Sequence, residues 1–183
     1  MTELFAALLS TDELLETTAD GAWVEAMLQM EASLARAQEA AGVIPPGAGE
    51  AIARACAGLP VAGADLGRRG RPHATPVIAL VEELRQAVGD PFRQWVHWGA
   101  TSQDVVDTAA MLVTRRALDV IDVDLAALVH ACARLAGRHR DDAMAGRTLL
   151  QQATPITFGL KAAGWLGALM DAGDGLARLR PRV

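Results

Sequence analysis

Residues 102–140 read SQDVVDTAAMLVTRRALDVIDVDLAALVHACARLAGRHR, and this stretch decides the fold. It contains no proline, and its single glycine, Gly137, lies near the end. Because proline and glycine are the residues that break helices, the stretch predicts one continuous α-helix, roughly 55 Å long at about 1.5 Å per residue. A compact chain of 183 residues has a diameter of roughly 40 Å. We therefore expect the helix to be longer than a globule formed by this chain alone.

The apolar residues of this stretch lie on all sides of the predicted helix. A helix that is apolar all round has to be covered all round. One further helix, over residues 155–179, is too little to cover it. We therefore predict that helices from other subunits, or from chain beyond this sequence, complete the cover. The apolar residues are Met111, Leu112, Val113, Leu118, Val120, Ile121, Val123, Leu125, Leu128, Val129 and Leu135.

The rest of the chain also predicts helices, and the fold class is all-α. Tyrosine is absent and only three phenylalanines occur, which disfavours strands. Helices are predicted over residues 20–41, 46–57 and 76–88, each bounded by glycine or proline. Asp20 is the expected N-cap of the first. The apolar stripe of that helix is predicted to contain Trp23, Met27, Met30, Leu34, Ala37 and Ala41.

Two further segments complete the secondary-structure prediction. Residues 63–74 are rich in glycine and arginine and are predicted to form a loop. Residues 141–154 are predicted to be a turn after the long helix. Thr154 is expected to cap the last helix, with Pro155 at its first helical position.

The composition excludes several classes of protein. Apolar residues make up 51% of the chain, which is too apolar for a disordered protein. The net charge of −5 disfavours a nucleic-acid partner, since phosphate backbones attract basic surfaces. No run of about 18 apolar residues is present, and residues 1–4 lack the basic start of a secretion signal. We therefore expect a cytoplasmic protein with neither a membrane nor a nucleic-acid partner.

Cys56 and Cys132 are expected to be buried free thiols, because no metal-ligand spacing surrounds either. The sequence contains no histidine, cysteine and carboxylate cluster at such spacing, and no glycine-rich phosphate loop. The sequence therefore shows no recognisable metal-ligand or phosphate-binding motif.

The first candidate site is HWGATSQD, residues 97–104, directly before the long helix. Thr101 and Ser102 suit the N-cap position, and Thr101 with Asp104 resembles a capping box. The free N–H groups and the positive dipole end of such a helix start also bind anions, and His97 could add a hydrogen bond. A plain helix cap is the alternative interpretation.

The second candidate site is GRTLLQQATPIT, residues 146–157, between the two long helices. Arg147 can clamp a carboxylate, and Gln151 and Gln152 offer neutral donors and acceptors. A simple turn between helices is the alternative. About 50 Å of helix separates the two motifs within one chain. If both motifs are functional, they can share a ligand only when the second motif of another subunit lies beside the first motif of this one. The site would then lie between subunits.

These two motifs carry a resemblance to a known family. Residues 97–109 resemble the first signature of the fumarase/aspartase superfamily, and residues 146–159 resemble its second. Trp98, Gln103 and the LQQA of residues 150–153 are most similar to its lactonising branch, the 3-carboxy-cis,cis-muconate cycloisomerases. The resemblance covers essentially the whole chain.

The resemblance implies a fold and a reaction. The fold would be a helical N-terminal domain over residues 1–101, then the start of a long-helix bundle over residues 102–183. The protein would be a homotetramer whose active sites draw on three subunits. The reaction would be lactonisation of the tricarboxylate 3-carboxy-cis,cis-muconate in protocatechuate catabolism (the β-ketoadipate pathway), without metal or organic cofactor. This chemistry needs anion holes and a positioned general acid or base.

The resemblance also implies site residues, all of them substrate-binding. They are His97, Thr101, Ser102, Gln103, Arg147, Gln151 and Thr154. The superfamily's third signature, a mobile loop that contributes a catalytic serine, is absent from the sequence. We therefore expect an N-terminal portion of an enzyme, with no catalytic residue of its own and inactive when alone.

One departure from the superfamily pattern bears on the substrate. Leu149 stands where many superfamily lyases place a histidine. This disfavours adenylosuccinate, argininosuccinate and fumarate chemistry and is compatible with the cycloisomerase branch. Two alternatives stay open. One is a C–N lyase of the same superfamily that acts on a substituted succinate with an unusual amine or nitro leaving group. The other is a non-catalytic helical module that only oligomerises.

Overall fold

The computed structural model of the chain describes residue 6 and residues 8–183. Residues 1–4, on which the expectation of no secretion signal rests, lie outside the described residues. The chain divides into two compact units, one up to Ala117 and one from Leu118 to Val183. The division falls within a helix. The domain boundary after residue 101 stays a prediction.

The elements of the two units are almost entirely helical. The first unit contains α1 (Asp12–Thr17), α2 (Asp20–Ala40), α3 (Ala48–Gly58), α4 (Gly63–Gly70), α5 (Val77–Val88) and 3₁₀ turns at Arg71–His73 and Arg93–Trp95. Helix α6 (Ser102–Arg138) begins in the first unit and continues into the second. The second unit adds β1 (Ala143–Met144), β2 (Arg147–Thr148), β3 (Gln151–Gln152), β4 (Ile156–Thr157), α7 (Phe158–Leu179) and a 3₁₀ turn at Arg180–Arg182. The prediction of an all-α fold is confirmed.

The continuous long helix is confirmed, since α6 runs unbroken for 37 residues. The three shorter helices predicted over residues 20–41, 46–57 and 76–88 are also present. Within the second unit, several large apolar side chains of α6 and α7 are exposed. They are Val123, Leu128, Leu160, Trp165, Met170 and Leu179. What covers them stays a prediction. In the described part of the chain, no helix is long and apolar enough to cross a membrane.

The predicted loop over residues 63–74 is wrong, because α4 and a 3₁₀ turn occupy it. Glycine lowers helix propensity, but tertiary contacts outweigh that cost here. Leu66 is buried, with 1% of its surface exposed. Arg69 forms ion pairs with Glu82 and Glu83 on α5, and its guanidinium lies 3.4 Å from the Glu82 carboxylate. These contacts fix the segment against α5 as a helix.

The predicted cap of the last helix is also wrong. Thr157, not Thr154, is the N-cap of α7, and its hydroxyl accepts a hydrogen bond from the N–H of Leu160 at 3.1 Å. Strand β4 pairs antiparallel with β1, and this pairing keeps the backbone extended past Thr154. The helix therefore starts three residues later than Pro155, at Phe158. The segment predicted to be a plain turn contains two short antiparallel strand pairs.

The core of the first unit is formed by α2, α3, α5 and the start of α6. On α2 the buried face is rotated from the predicted stripe, since Ala37 and Ala41 are exposed. Alanine is common on both faces of this helix, so it marks the apolar face weakly. Ala19 takes the N-cap position that was expected for Asp20, without a side-chain hydrogen bond. The buried residues of α2 are Val24, Ala26, Met27, Leu28, Glu31, Ala32 and Ala35.

The loop between α2 and α3 is fixed by a carboxylate. Glu39 accepts hydrogen bonds from the backbone N–H groups of Gly47 and Gly49, both at 2.7 Å, at the start of α3. These hydrogen bonds, that from Gly47 foremost, lower the pKa of the Glu39 carboxyl. The contact holds α3 against the end of α2, the helix that also carries Glu31.

The core makes a first prediction about stability. Leu84 on α5 is fully buried, so Leu84→Ala leaves a cavity and should lower the free energy of unfolding by about 2–5 kcal/mol. Urea denaturation of the intact protein measures this loss. Leu8→Ala is the matched control, because 75% of Leu8 is exposed and its removal opens no cavity. Equal losses in the two variants would contradict the assigned core.

Candidate active site

The first motif forms a loop between the 3₁₀ turn Arg93–Trp95 and the start of α6. Val96 is fully buried and anchors the loop in the core. His97 and Gly99 both have positive φ, +60° and +70°. This conformation suits glycine but is unfavourable for histidine, so surrounding contacts have to hold His97 in place.

Side chains from neighbouring helices hold the backbone of this loop. Gln38 on α2 donates from Nε2 to the carbonyl of Trp98 at 2.6 Å. Arg85 on α5 donates from Nη2 to the carbonyl of Val96 at 3.4 Å. The loop is therefore fixed from two helices, on either side of His97.

A third contact holds the His97 ring itself. Its Nδ1 lies 2.5 Å from Oε1 of Glu31 on α2. The Glu31 side chain is 1% exposed and that of His97 is 14% exposed. Among the described residues, Glu31 is the one charged residue that is buried. Since a buried carboxylate is costly without a partner, the two side chains stabilise each other's position.

At the start of α6, one of the two hydrogen bonds of the predicted capping box is present, the one in which the Asp104 side chain accepts from the backbone N–H of Thr101. The N–H and the hydroxyl of Thr101 both donate to Oδ2 of Asp104, at 2.8 and 3.0 Å. These two hydrogen bonds, that from the backbone N–H foremost, lower the pKa of the Asp104 carboxyl. Gln103 donates from Nε2 to Oδ1 of Asp107 at 2.6 Å, one turn further along the helix.

Two of the predicted site residues, His97 and Ser102, line a common cavity. Its volume is about 180 Å³. Arg85 lines the same cavity, and Ser102 is the first residue of α6. An imidazole, a hydroxyl and a guanidinium together suit a carboxylate ligand. The remaining lining residues are Val77, Ile78, Val81 and Glu82.

The second motif forms a hairpin in the second unit. Strand β2 pairs antiparallel with β3, so Arg147 lies opposite Gln152 and Thr148 lies opposite Gln151. The two turn residues, Leu149 and Leu150, have positive φ of 45° and 64°, and their side chains are almost fully exposed. Positive φ at both central residues is what a type I′ hairpin turn requires.

A close backbone approach brings the ends of this motif together. A Cβ on Gly146 would lie 2.3 Å from the carbonyl oxygen of Thr154, so only glycine fits there. The N–H of Ala153 donates to the carbonyl of Gly146 at 2.8 Å. The side chains of Arg147, Gln151 and Thr154 are exposed. Their role with the first motif in a site between subunits stays a prediction.

Three residues that shape the first motif were not predicted from the sequence: Glu31, Gln38 and Arg85. Gln38 and Arg85 stand on exposed or half-buried positions and carry no sequence signal. Glu31 does carry a sequence signal, because an acidic residue one turn after Met27 interrupts the apolar face of α2. The predicted apolar stripe contained Met30 and not Glu31, so position 31 was not predicted to be buried.

The two cysteines are free and buried, as predicted. Burial, followed by the charge of Glu31, raises the pKa of the Cys56 thiol to about 12. Cys56 is therefore a poor nucleophile. No three metal-ligating side chains come together within the described residues. The expectation of a site without a metal stays a prediction.

Comparison with known proteins defines the class of protein. The sequence matches the family described as "Lyase" over residues 9–183. The chain therefore belongs to this lyase family, and the resemblance drawn from the two motifs is confirmed.

Particular relatives narrow the class. The chain is 42% identical to 3-carboxy-cis,cis-muconate cycloisomerase of Bradyrhizobium diazoefficiens, over 98% of this chain and 40% of the relative. It is 46% identical to nitrosuccinate lyase of Streptomyces davaonensis, over 84% of this chain and 33% of that relative. The crystal structure of the 3-carboxy-cis,cis-muconate lactonizing enzyme from Pseudomonas putida superposes with a TM-score of 0.93 at 39% identity, covering 99% of this chain and 41% of that one. The chain thus spans less than half the length of these relatives.

The helix cap at the first motif makes a pH-dependent prediction. Asp104→Asn should destabilise the protein at pH 7, because a neutral amide accepts more weakly from Thr101 and loses the favourable dipole interaction. The folded pKa of Asp104 lies below its usual 3.8. Its stabilising contribution is therefore complete above that value and is lost as pH falls through the folded pKa.

Urea midpoints of the wild type and Asp104→Asn, measured from pH 7 down to pH 2, test this. The difference between the two urea midpoints should become smaller as the Asp104 carboxyl of the wild type takes up its proton. Asp124→Asn is the matched control, since Asp124 is exposed in the middle of the same helix. A gap that stays constant down to low pH would contradict the assigned cap.

Proposed function

We propose that the protein carrying this chain is a cycloisomerase that lactonises 3-carboxy-cis,cis-muconate, within the β-ketoadipate pathway of the cytoplasm. The observation that carries this proposal is the extent of the similarity. The match to the cycloisomerases runs over nearly the whole chain, in sequence and in structure, whereas the match to the nitrosuccinate lyase covers a smaller part. Leu149, in place of a histidine, supports the same branch.

The proposed reaction is an isomerisation. One carboxylate oxygen of the substrate forms a C–O bond to a carbon of a C=C double bond. The neighbouring carbon, which stands next to another carboxylate, receives a proton. Every atom of the substrate is kept, and the negative charge that develops needs fixed hydrogen-bond donors.

The residues of the first motif suit this task. His97, Ser102 and Arg85 line one cavity beside the N-terminus of α6, where a carboxylate is stabilised by N–H donors and by the helix dipole. Arg147 and Gln151 on the exposed hairpin suit a second carboxylate. These residues bind and orient the substrate, and the proton transfer belongs to a serine outside this chain.

We also propose that the protein is a homotetramer with active sites between subunits. The exposed apolar side chains on the two long helices of the second unit support association. A tetramer would also let the hairpin of one subunit meet the first motif of another.

A C–N lyase acting on a substituted succinate is the second candidate, and the 46% identity to a nitrosuccinate lyase favours it. Ultraviolet spectroscopy separates the two reactions. Cycloisomerisation consumes a conjugated diene, so the absorbance of 3-carboxy-cis,cis-muconate should fall. Elimination from nitrosuccinate creates a fumarate-type double bond, so absorbance should rise and nitrite should appear.

For the intact protein we expect loss of diene absorbance with 3-carboxy-cis,cis-muconate and no nitrite release from nitrosuccinate. Nitrite release without diene consumption would replace the first candidate by the second. Inactivity on both substrates would favour the non-catalytic helical module.

The proposal also predicts that Ser102 contributes to turnover. Ser102→Ala in the intact protein should lower kcat/KM by about 10²–10³-fold, the cost of losing one donor to the developing charge. Gln151→Ala should act in the same direction. Ser33→Ala is the matched control, because Ser33 is exposed on α2 and does not line the cavity of Ser102.

Steady-state kinetics with each variant measure these effects, and circular dichroism confirms that each is folded. Full activity in Ser102→Ala and Gln151→Ala would contradict the assigned site and support a purely structural role for both motifs.

A further inference from the structure

The contact between Glu31 and His97 is not required for the helix cap at the start of α6. The cap at α6 is formed by Thr101 and Asp104, and the loop backbone is held by Gln38 and Arg85. None of these contacts uses the His97 ring. Glu31 is nevertheless placed in the core at the cost of burying a carboxylate, and its oxygen lies 2.5 Å from Nδ1. An apolar residue at position 31 would fill the core without that cost.

The geometry of the ring shows what the contact does. The 2.5 Å separation requires one shared hydrogen between Nδ1 and Oε1, and Nδ1 is the donor whenever Glu31 is a carboxylate, because a carboxylate only accepts. The second ring nitrogen, Nε2, is separated from Nδ1 by Cε1, and its N–H or lone pair is directed away from Glu31. His97 also lines the cavity that Ser102 and Arg85 line. Contact with Glu31 therefore turns Nδ1 inwards and leaves Nε2 as the polar atom available to a ligand.

We propose that Glu31 is a positioning residue for substrate binding. Its carboxylate accepts the Nδ1–H of His97, and Nε2 is thereby presented to a carboxylate of the substrate in the cavity. This inference rests on the proposed function for the identity of the substrate. In the complex the ring lies between two carboxylates and donates to both, and Glu31 supplies the counter-charge that the ring then needs.

The contact has two separable parts, its shape and its charge. Glu31→Gln keeps the size of the side chain and an oxygen that accepts from Nδ1, but it removes the negative charge. If Glu31 only fills space and orients the ring, this variant leaves substrate binding unchanged. If Glu31 is the counter-charge, a ring beside a neutral amide binds the substrate carboxylate less well.

Kinetics of the intact protein with 3-carboxy-cis,cis-muconate test the charge. Glu31→Gln should raise KM about 10- to 100-fold, the range for a lost charge-assisted hydrogen bond, and should change kcat much less. In a His97→Asn background the same substitution should have no further effect on KM, because the two residues act through one contact. Glu25→Gln is the matched control, since Glu25 lies on the same helix with its side chain 71% exposed. An unchanged KM in folded Glu31→Gln, or full additivity with His97→Asn, overturns the proposal.

A spectroscopic test uses the wild-type protein and needs neither turnover nor a variant. Long-range ¹H–¹⁵N spectra of the wild-type protein report which ring nitrogens of His97 carry hydrogen. We expect a hydrogen on Nδ1 without ligand, and hydrogens on both nitrogens with tricarballylate, a saturated tricarboxylate. A ring without hydrogen on Nδ1, or no response of Nε2 to tricarballylate, overturns the proposal.

The two proposals fail in different ways. A wild-type protein that leaves 3-carboxy-cis,cis-muconate unchanged disproves the proposed function. The spectra and the tricarballylate titration still decide the role of Glu31 in that case. If turnover is observed but Nδ1 carries no hydrogen, the proposed function stands and the role of Glu31 fails.

Discussion

One uninterrupted helix, Ser102–Arg138, is the constraint on which the rest of the structure depends. Without proline and with glycine only near its end, the segment has no point at which to turn back. Its first turn is the end of one candidate motif, and its last turn leads into the other. Its first half takes part in the core of the first unit and is hydrogen-bonded to α2 through Arg116, and the final helix of the second unit follows its end. Where each motif can form is therefore decided by where this helix starts and stops.

The first motif shows how a strained loop becomes a fixed site. Histidine at positive φ is unfavourable by itself, yet His97 is held by a carboxylate on α2, while Gln38 and Arg85 hold the carbonyls on either side. Each contact comes from a helix that belongs to the core of the same unit. The residues that line the cavity beside the start of α6 are therefore fixed by the core. Hydrogen-bond donors held in this way are oriented before a ligand binds.

The sequence predicts the large features because they depend on local rules. The absence of breakers in residues 102–138 and the order of the two motifs need no tertiary information. The failures have tertiary causes. Residues 63–70 form a helix because Leu66 is buried in the core and Arg69 pairs with carboxylates on α5, and these contacts outweigh the glycines. The last helix starts at Phe158 because β4 pairs with β1. Glu31 was overlooked because the alanines of α2 do not define which face is buried, and only packing reveals it.

The hairpin tip of the second motif has a consequence for the energetics of the chain. A two-residue turn with positive φ at both positions is best formed by asparagine and glycine, and here it is formed by Leu149 and Leu150. Each leucine costs about 1 kcal/mol or more in backbone energy and exposes an apolar side chain to water. Neither cost is recovered inside the hairpin. The tip is therefore a locally unstable element, and its conformation is held from its base, where Gly146 meets Thr154, rather than by the turn itself.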